Sequence, residues 1–212
     1  MAAVLIVSAN LVPGLRLLLL PLTYLNTHIH ELCHALVAWG TGGQPQYILV
    51  RVDGSGVTPT AGGFTALIAS AGYLGATFVG AGLILAARKE GTARNAIYAL
   101  FGALALGGLL LVRGDVVGIV TLFLWLGILF AIARKADGLW ICRIAGGLGA
   151  MQCLNGMRSL GDLWQVTTSG DVQSDAGIMQ SVTGLPAIFW SLLWAVAGAA
   201  ICFAALRRMA RS

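Results

Sequence analysis

The residues best suited to chemistry in this sequence form the motif His30-Glu31-Leu32-Cys33-His34, an HExxH pattern. In a helix, residues four apart differ by about 40° and lie one turn apart, so both imidazoles can reach one metal ion. Glu31 lies about 60° from His34, close enough to activate a water molecule without being a ligand. This arrangement is typical of zinc-dependent hydrolases, so we predict that His30 and His34 bind Zn²⁺ and that Glu31 is catalytic.

The motif lies in a segment that otherwise has the composition of a membrane helix, where ionisable groups are costly. Thr23, Asn26 and Thr27 lie within about 60° of His30 on the same helix, so a polar stripe leads to the motif. Such a stripe must face the interior of a helical bundle, or water. The structural alternative is a pair of hydrogen-bonded interior histidines beside a buried glutamate. His28 points about 200° away from His30, so we expect it to be structural or interfacial.

A third metal ligand is missing from the motif. A catalytic zinc usually takes three protein ligands and keeps one position open. All three histidines of the chain lie in this window, so the third ligand must be a carboxylate or, less favourably, a cysteine. The best source is the acidic segment before the last apolar run, and the residues alone leave three candidates open: Asp162, Asp171 and Asp175.

The composition is that of an integral membrane protein. Hydrophobic residues make up 58% of the chain and charged residues 10%, whereas soluble domains carry roughly 25% charged residues. The net charge of +5 does not indicate a nucleic-acid partner, because the basic residues cluster at the ends of apolar runs. The four cysteines form no CxxC pattern, so we expect small core residues rather than disulfides or zinc thiolates.

We predict an all-α integral membrane protein with about six transmembrane helices and a short β-hairpin after the first, in one domain over residues 1–212. A span needs ~20 apolar residues, and the predicted spans cover 15–40, 64–87, 96–112, 116–133, 139–154 and 185–206. Pro21 should kink the first helix or divide it in two. Residues 155–183 form a long polar loop before the last span, and connections of that kind are often functional. Residues 1–12 are too short to span alone.

Two further patterns concern the segment after the motif. Residues 46–60 (QYILVRVDGSGVTPT) alternate in polarity around the turn signal DGSG, which predicts the hairpin. Gly72, Ala76 and Gly80 recur every four residues in the next span, a spacing that favours close helix packing in lipid rather than chemistry.

The loop charges predict the orientation. If six spans alternate, one side of the membrane receives most of the basic residues, namely Arg88, Lys89, Arg94, Arg134, Lys135, Arg207, Arg208 and Arg211. The other side receives Arg51, Arg113 and Arg158. We therefore expect both termini in the cytoplasm.

Together these features resemble the intramembrane metalloproteases of the site-2 protease type, and more closely their compact bacterial branch, the peptidase M50B-like proteins. The likeness covers roughly residues 15–194. It rests on HExxH in a membrane helix, a glycine-rich hairpin and three later segments: AGYLG at 71–75, SDA at 174–176 and TGLPAIFWSLLW at 183–194.

The resemblance implies a zinc ion bound by His30, His34 and a distant aspartate, here Asp175, with Glu31 as general base. The chain departs from the family in having SDA where relatives have an LDG-like motif, and it has no room for a PDZ domain. Asn155, in CLNGM, loosely resembles the asparagine that precedes the aspartate in the family.

The implied function is a zinc-dependent endopeptidase that cleaves a peptide bond within or near a transmembrane segment, in a bacterial cell membrane. The expected partners are the lipid bilayer and a membrane-protein substrate, either a single-span protein or its stub. The sequence does not set the oligomeric state. The alternative is a non-catalytic metal-binding membrane protein, either a transporter or a degenerate protease-like scaffold, since inward polar residues also mark ion pathways. The third interpretation is a helical bundle in which these residues only contribute to packing and no metal is bound.

Overall fold

The computed structural model describes residues 13–154 and 174–211. Within these ranges the chain forms seven helices and a small hairpin of paired strands. The helices are α1 (Pro13–Gly40), α2 (Thr65–Ala86), α3 (Glu90–Leu111), α4 (Val116–Lys135), α5 (Gly138–Cys153), α6 (Asp175–Thr183) and α7 (Ala187–Ala210). The prediction of a mainly helical protein with a hairpin after the first helix is confirmed.

Four of these helices are long and apolar enough to cross a membrane: α2, α3, α4 and α7. Helix α1 has 28 residues, but its polar stripe lowers its hydropathy. Helix α5 has 16 residues, or about 24 Å, which is shorter than the ~30 Å hydrocarbon core of a bilayer. The prediction of six spans is therefore not confirmed, because the other two predicted spans, α1 and α5, are respectively too polar and too short to qualify on their own.

Helix α1 continues through Pro21 instead of dividing there. The carbonyl of Pro21 accepts a hydrogen bond of 2.8 Å from Trp125 Nε1, which joins α1 to α4. His28 makes a second link, because its Nε2 lies 3.0 Å from Thr121 Oγ1. The Thr121 hydroxyl itself donates to Val117 O at 2.7 Å, so the imidazole is the donor to that oxygen. His28 thus points towards α4.

Helix α2 occupies the centre of the bundle. Of its apolar stretch 61% is buried, compared with 33% for α3 and α4 and 28% for α7. A methyl group on Gly80 would overlap the backbone at Gly149 in α5, and one on Gly149 would overlap the backbone at Gly80. Glycines at these two positions therefore let α2 and α5 approach closely, as the small-residue repeat predicts.

The hairpin follows directly after Gly40, where α1 ends. Strands β2 (Leu49–Val50) and β3 (Gly56–Val57) pair antiparallel within the predicted range 46–60. A second antiparallel pair, β1 (Gln44–Pro45) with β4 (Thr60–Ala61), extends the hairpin by two residues at its start.

The turn of the hairpin requires glycine at position 54. Gly54 has a φ of 86°, a conformation that L-residues rarely adopt, and a side chain there would meet Thr23 of α1. The hydroxyl and backbone N–H of Ser55 donate to Asp53 Oδ1 at 2.7 and 2.9 Å. These bonds hold the pKa of the Asp53 carboxyl below its ordinary value.

Hydrogen bonds place the hairpin on the polar stripe of α1. The Tyr24 hydroxyl donates to Val52 O at 2.7 Å, and the Thr27 hydroxyl donates to Gly54 O at 2.6 Å. The other flank is joined to the end of α3, because the Ile48 backbone N–H donates to Leu111 O at 2.8 Å. The polar residues that the sequence placed on one face of α1 therefore serve partly to seat the hairpin.

The polar segment 155–183 is not a continuous loop, because its described end forms α6. Ser174 is the N-cap, and its Oγ accepts a hydrogen bond of 3.1 Å from the Gly177 N–H. Gly184 ends the helix with a φ of 75°, and Gln180 Oε1 accepts from the Ala187 N–H at 2.8 Å. These contacts fix the turn between α6 and α7.

Basic residues collect at one end of the bundle. Arg88 Nη2 donates to Arg208 O at 3.2 Å, which joins the end of α2 to the end of α7. Arg94 Nη2 donates to Ala136 O at 2.9 Å, which joins the start of α3 to the end of α4. The hairpin lies at the opposite end, since it bonds to the last residues of α3. The charge asymmetry expected from the loops is thus present in the fold.

Candidate metal centre

Within residues 13–154 and 174–211, three potential metal ligands come together: His30, His34 and Asp175. Their ligand atoms all lie within 4.8 Å of one another. Asp175 Oδ2 is 3.1 Å from His30 Nε2 and 3.4 Å from His34 Nε2. Two imidazole nitrogens and a carboxylate oxygen are the donor set of many catalytic zinc sites, which keep a further position open. The residues present therefore fit a zinc ion.

His34 is oriented by the first turn of α2. Its Nδ1 lies 2.6 Å from the Ile68 carbonyl oxygen, and because a carbonyl can only accept, the imidazole must donate there. In the neutral imidazole, the form that binds a metal, Nε2 then carries the free lone pair on the side of Asp175. A second-shell carbonyl of this kind usually fixes the tautomer and the ring plane of a metal-binding histidine.

Gly72 of α2 leaves the space in which the two ring nitrogens converge. A side chain at this position would overlap Nε2 of both His30 and His34. The packing role predicted for the repeat of small residues therefore describes Gly80, whereas Gly72 faces the imidazoles. The sequence shows only the spacing of the small residues. That spacing does not distinguish a glycine that packs against another helix from a glycine that faces the histidine side chains.

Asp175 reaches the histidines because α6 packs into an aromatic pocket between α2 and α7. Ala176 and Met179 are buried together with Tyr73 and Trp194, and the Tyr73 ring stacks on Trp194 with centroids 5.4 Å apart. The same Tyr73 ring contacts His30 in a T-shaped arrangement, with centroids 4.7 Å apart. Tyr73 therefore contacts both His30 and the helix that carries Asp175.

Glu31 is buried beside the three ligands, with 4% of its surface exposed. Its Oε2 accepts a hydrogen bond of 2.7 Å from the Thr58 hydroxyl at the end of β3. A side chain on Gly56 would overlap Glu31 Oε1, so the hairpin backbone comes close to the carboxylate. The sequence did not identify Thr58 or Gly56, because no spacing rule links a hairpin residue to a glutamate on the preceding helix.

The sequence leaves two other aspartates open as the third ligand. Asp162, Asp171 and Asn155 lie outside the described residues. Cys33 and Cys153 are buried, as expected of core thiols, whereas Cys142 and Cys202 are only partly buried. None of the four belongs to the three-ligand group.

A comparison with protein families matches the description Peptidase M50B-like over residues 1–205. The chain belongs to the Peptidase M50B-like family. The match includes both the HExxH helix and the segment that carries Asp175, so the resemblance inferred from the motifs is confirmed. Membership in a peptidase family supports a protease, and the four apolar helices support an integral membrane protein. No curated protein and no solved structure matches the chain.

Replacing Gly72 by alanine is expected to weaken metal binding in this M50B-like protein, because the methyl group displaces the two ligand nitrogens. We expect zinc affinity to fall by at least about 10-fold, the scale on which disturbed ligand geometry acts. The measurement is metal analysis of the purified protein by inductively coupled plasma mass spectrometry.

The matched control is Gly82→Ala on the same helix, where a side chain meets nothing within 4 Å. If Gly72→Ala and Gly82→Ala bind zinc as the unchanged chain does, the convergence of ligands over Gly72 is wrong.

Proposed function

We propose that this M50B-like protein is a zinc-dependent intramembrane endopeptidase that cleaves a peptide bond within or near a transmembrane segment of its substrate. The observation that carries the proposal is the approach of Asp175 to His30 and His34, beside the buried carboxylate of Glu31. Family membership supports peptide hydrolysis as the reaction. The three-ligand group supports a metal-dependent mechanism.

His30, His34 and Asp175 would hold the zinc ion. When bound, zinc supplies Lewis-acid polarisation of the substrate carbonyl and makes a water molecule acidic enough to ionise near neutral pH. Glu31 accepts the proton of the attacking water and passes it to the leaving amine. Thr58 keeps one carboxylate oxygen of Glu31 in place, so that the other can face the water.

The depth of the site supports cleavage inside the membrane. Gly72, which contacts both ligand histidines, lies seven residues after Thr65, where α2 begins. At 1.5 Å per residue this places the site about 10 Å along the helix. If α2 crosses the bilayer from its first residue, a scissile bond at this depth lies within the apolar layer.

The hairpin offers a way to hold an unwound substrate. The Arg51 N–H donates to Ser55 O at 2.8 Å, and hydrogen-bonded and non-bonded pairs alternate in antiparallel strands. The pair Val50↔Gly56 is then non-bonded, so the N–H and C=O of Gly56 point away from β2. A substrate strand could add to this edge, next to Glu31. Unwinding is required because a helical substrate keeps its carbonyls in internal hydrogen bonds.

Replacing Glu31 by glutamine tests the proposed function against the metal-binding alternative. A protease keeps its zinc in this variant because the ligands are intact, but its cleavage rate falls by roughly 100-fold or more. In a metal-binding transporter or scaffold, the function does not depend on a general base, so the variant should behave as the unchanged chain does. The measurements are zinc content and cleavage of a single-span substrate in reconstituted vesicles.

The same variant can trap substrate and so test the hairpin. With a photo-crosslinking amino acid at Val57 in the Glu31→Gln background, we expect cross-links to residues around the cleavage site. A cross-linker at Gln44, an exposed residue of β1 on the other arm of the hairpin, is the matched control. Equal capture from both positions would argue against strand addition at β3.

Replacing Thr58 by valine should slow cleavage by about tenfold while leaving the zinc content unchanged, because the carboxylate of Glu31 loses its donor but the metal ligands do not. Thr58→Ser retains the hydroxyl and should restore most of the rate. Cleavage kinetics with zinc analysis measure both effects. Loss of zinc in Thr58→Val, or failure of serine to rescue, would show that Thr58 does not act through Glu31.

We also propose that the basic end of the bundle faces the cytoplasm of a bacterium, which puts both termini there if α1 and α5 complete six spans. The support is the grouping of basic residues at the ends of α2, α4 and α7, where positive charge retains a segment on the cytoplasmic side. A fluorescent protein fused after Ser212 should be bright in this topology. If the fluorescent fusion is dark and an alkaline phosphatase fusion at the same position is active, the orientation is the opposite of the one proposed.

A further inference from the structure

A cavity of about 660 Å³ opens at the basic end of the bundle, far from the metal centre. It lies between the ends of α2 and α7 and the start of α3, and its lining residues are Leu85, Arg88, Lys89, Thr92 and Met209. Along α2, Arg88 is about 24 Å from Gly72 at 1.5 Å per residue. The proposed peptidase activity therefore does not use this cavity.

The charges around the cavity are predominantly positive. Arg88 and Lys89 line it, and Arg207 and Arg208 occupy the adjoining last turn of α7. The carboxylate of Glu90, next in sequence to Lys89, lies 2.8 Å from Arg94 Nη2 and is neutralised there. The cavity is thus suited to an anion.

The remaining lining of the cavity is apolar and continues onto the outside of the bundle. Leu85 and Met209 supply apolar surface. On α7, Phe203, Leu206 and Met209 follow at intervals of three, which places them within about 120° on one side of the helix. Phe203 is 66% exposed and Leu206 41% exposed. An apolar strip therefore leads from the cavity along a candidate membrane span.

The combination of cations and an apolar strip at the end of membrane helices favours one class of ligand. Basic pockets between transmembrane helices bind lipid head groups, because the head groups lie at the level where the apolar stretches end. A free inorganic anion would use the cations and leave the strip uncovered. A phospholipid can satisfy both parts.

We propose that this cavity binds the head group of an anionic phospholipid, with the phosphate at Arg88 and Lys89 and an acyl chain along Phe203, Leu206 and Met209. Bound lipid bridges α2 and α7, the two helices between which α6 is packed. The site would therefore support the fold on which Asp175 depends, but its existence does not require the protein to be a peptidase.

Native mass spectrometry of the purified full-length chain tests the site directly. The protein is titrated with phosphatidylglycerol, with phosphatidylcholine and with inorganic phosphate. We expect one phosphatidylglycerol to bind in preference to phosphatidylcholine. Each basic residue near a membrane surface contributes about fivefold to such binding, so Lys89→Gln should weaken it about fivefold and the double variant Arg88→Gln/Lys89→Gln by tenfold or more.

The matched control is Arg134→Gln/Lys135→Gln, which removes the same charge from the same end of the bundle outside the cavity lining. Because Arg134 and Lys135 do not line the cavity, this variant should change binding by less than about twofold, in contrast to the roughly fivefold contribution of a cation within it. The single variant Lys89→Gln separates loss of binding from misfolding, because it keeps the hydrogen bond between Arg88 and the Arg208 carbonyl. Equal losses in both double variants, equal binding of phosphatidylcholine, or displacement of the lipid by inorganic phosphate would each overturn the proposal.

Discussion

The burial of ionisable side chains inside an apolar helical bundle is the constraint on which the rest of this structure depends. A charged group that leaves water costs several kcal/mol unless it is paired or bound to a metal. His30, His34 and Asp175 meet one another, and Glu31 meets the hydroxyl of Thr58. Each of these four groups therefore has a partner that another element supplies, and the positions of those elements follow from this requirement.

Three elements supply these partners to α1. Helix α2 provides the Ile68 carbonyl and the open space at Gly72, helix α6 provides the aspartate, and the hairpin provides Thr58. Apolar packing fixes α6, because Met179 is buried against the aromatic residues of α2 and α7, whereas hydrogen bonds to α1 hold the hairpin in place. A ligand set can be held at a fixed separation only when its supporting shell is rigid, which gives the dense packing around Tyr73 a functional reason.

Local features of this fold could be predicted from the sequence, whereas contacts between distant segments could not. The placement of His30 and His34 on one face follows from helical geometry, and the hairpin follows from its turn signal, so neither requires knowledge of the fold. The contact of Thr58 with Glu31 and the placement of Gly72 against the histidines depend on how separate elements pack, and the sequence carries no periodic signal for that. Asp175 was reached through family resemblance, since the residues alone left three aspartates open.

The errors also have physical causes. Helix α6 lies in the predicted loop because its nine residues are too few to show a clear apolar period, and its caps at Ser174 and Gly184 are the signals that identify it. The count of six spans is not confirmed at α1 and α5, for different reasons: α1 carries the polar stripe of the site, and α5 is short. In α1 the residues that lower the hydropathy are the same residues that seat the hairpin and form the site.

The most direct test of the account is the zinc content of Asp175→Ala beside that of the unchanged chain and of Asp171→Ala. Zinc needs all three ligands, so we predict about one zinc per chain in the unchanged protein and in Asp171→Ala, and a large loss in Asp175→Ala. Full zinc occupancy in Asp175→Ala would contradict the account, because the metal centre would then not depend on the aspartate that the fold brings to the two histidines.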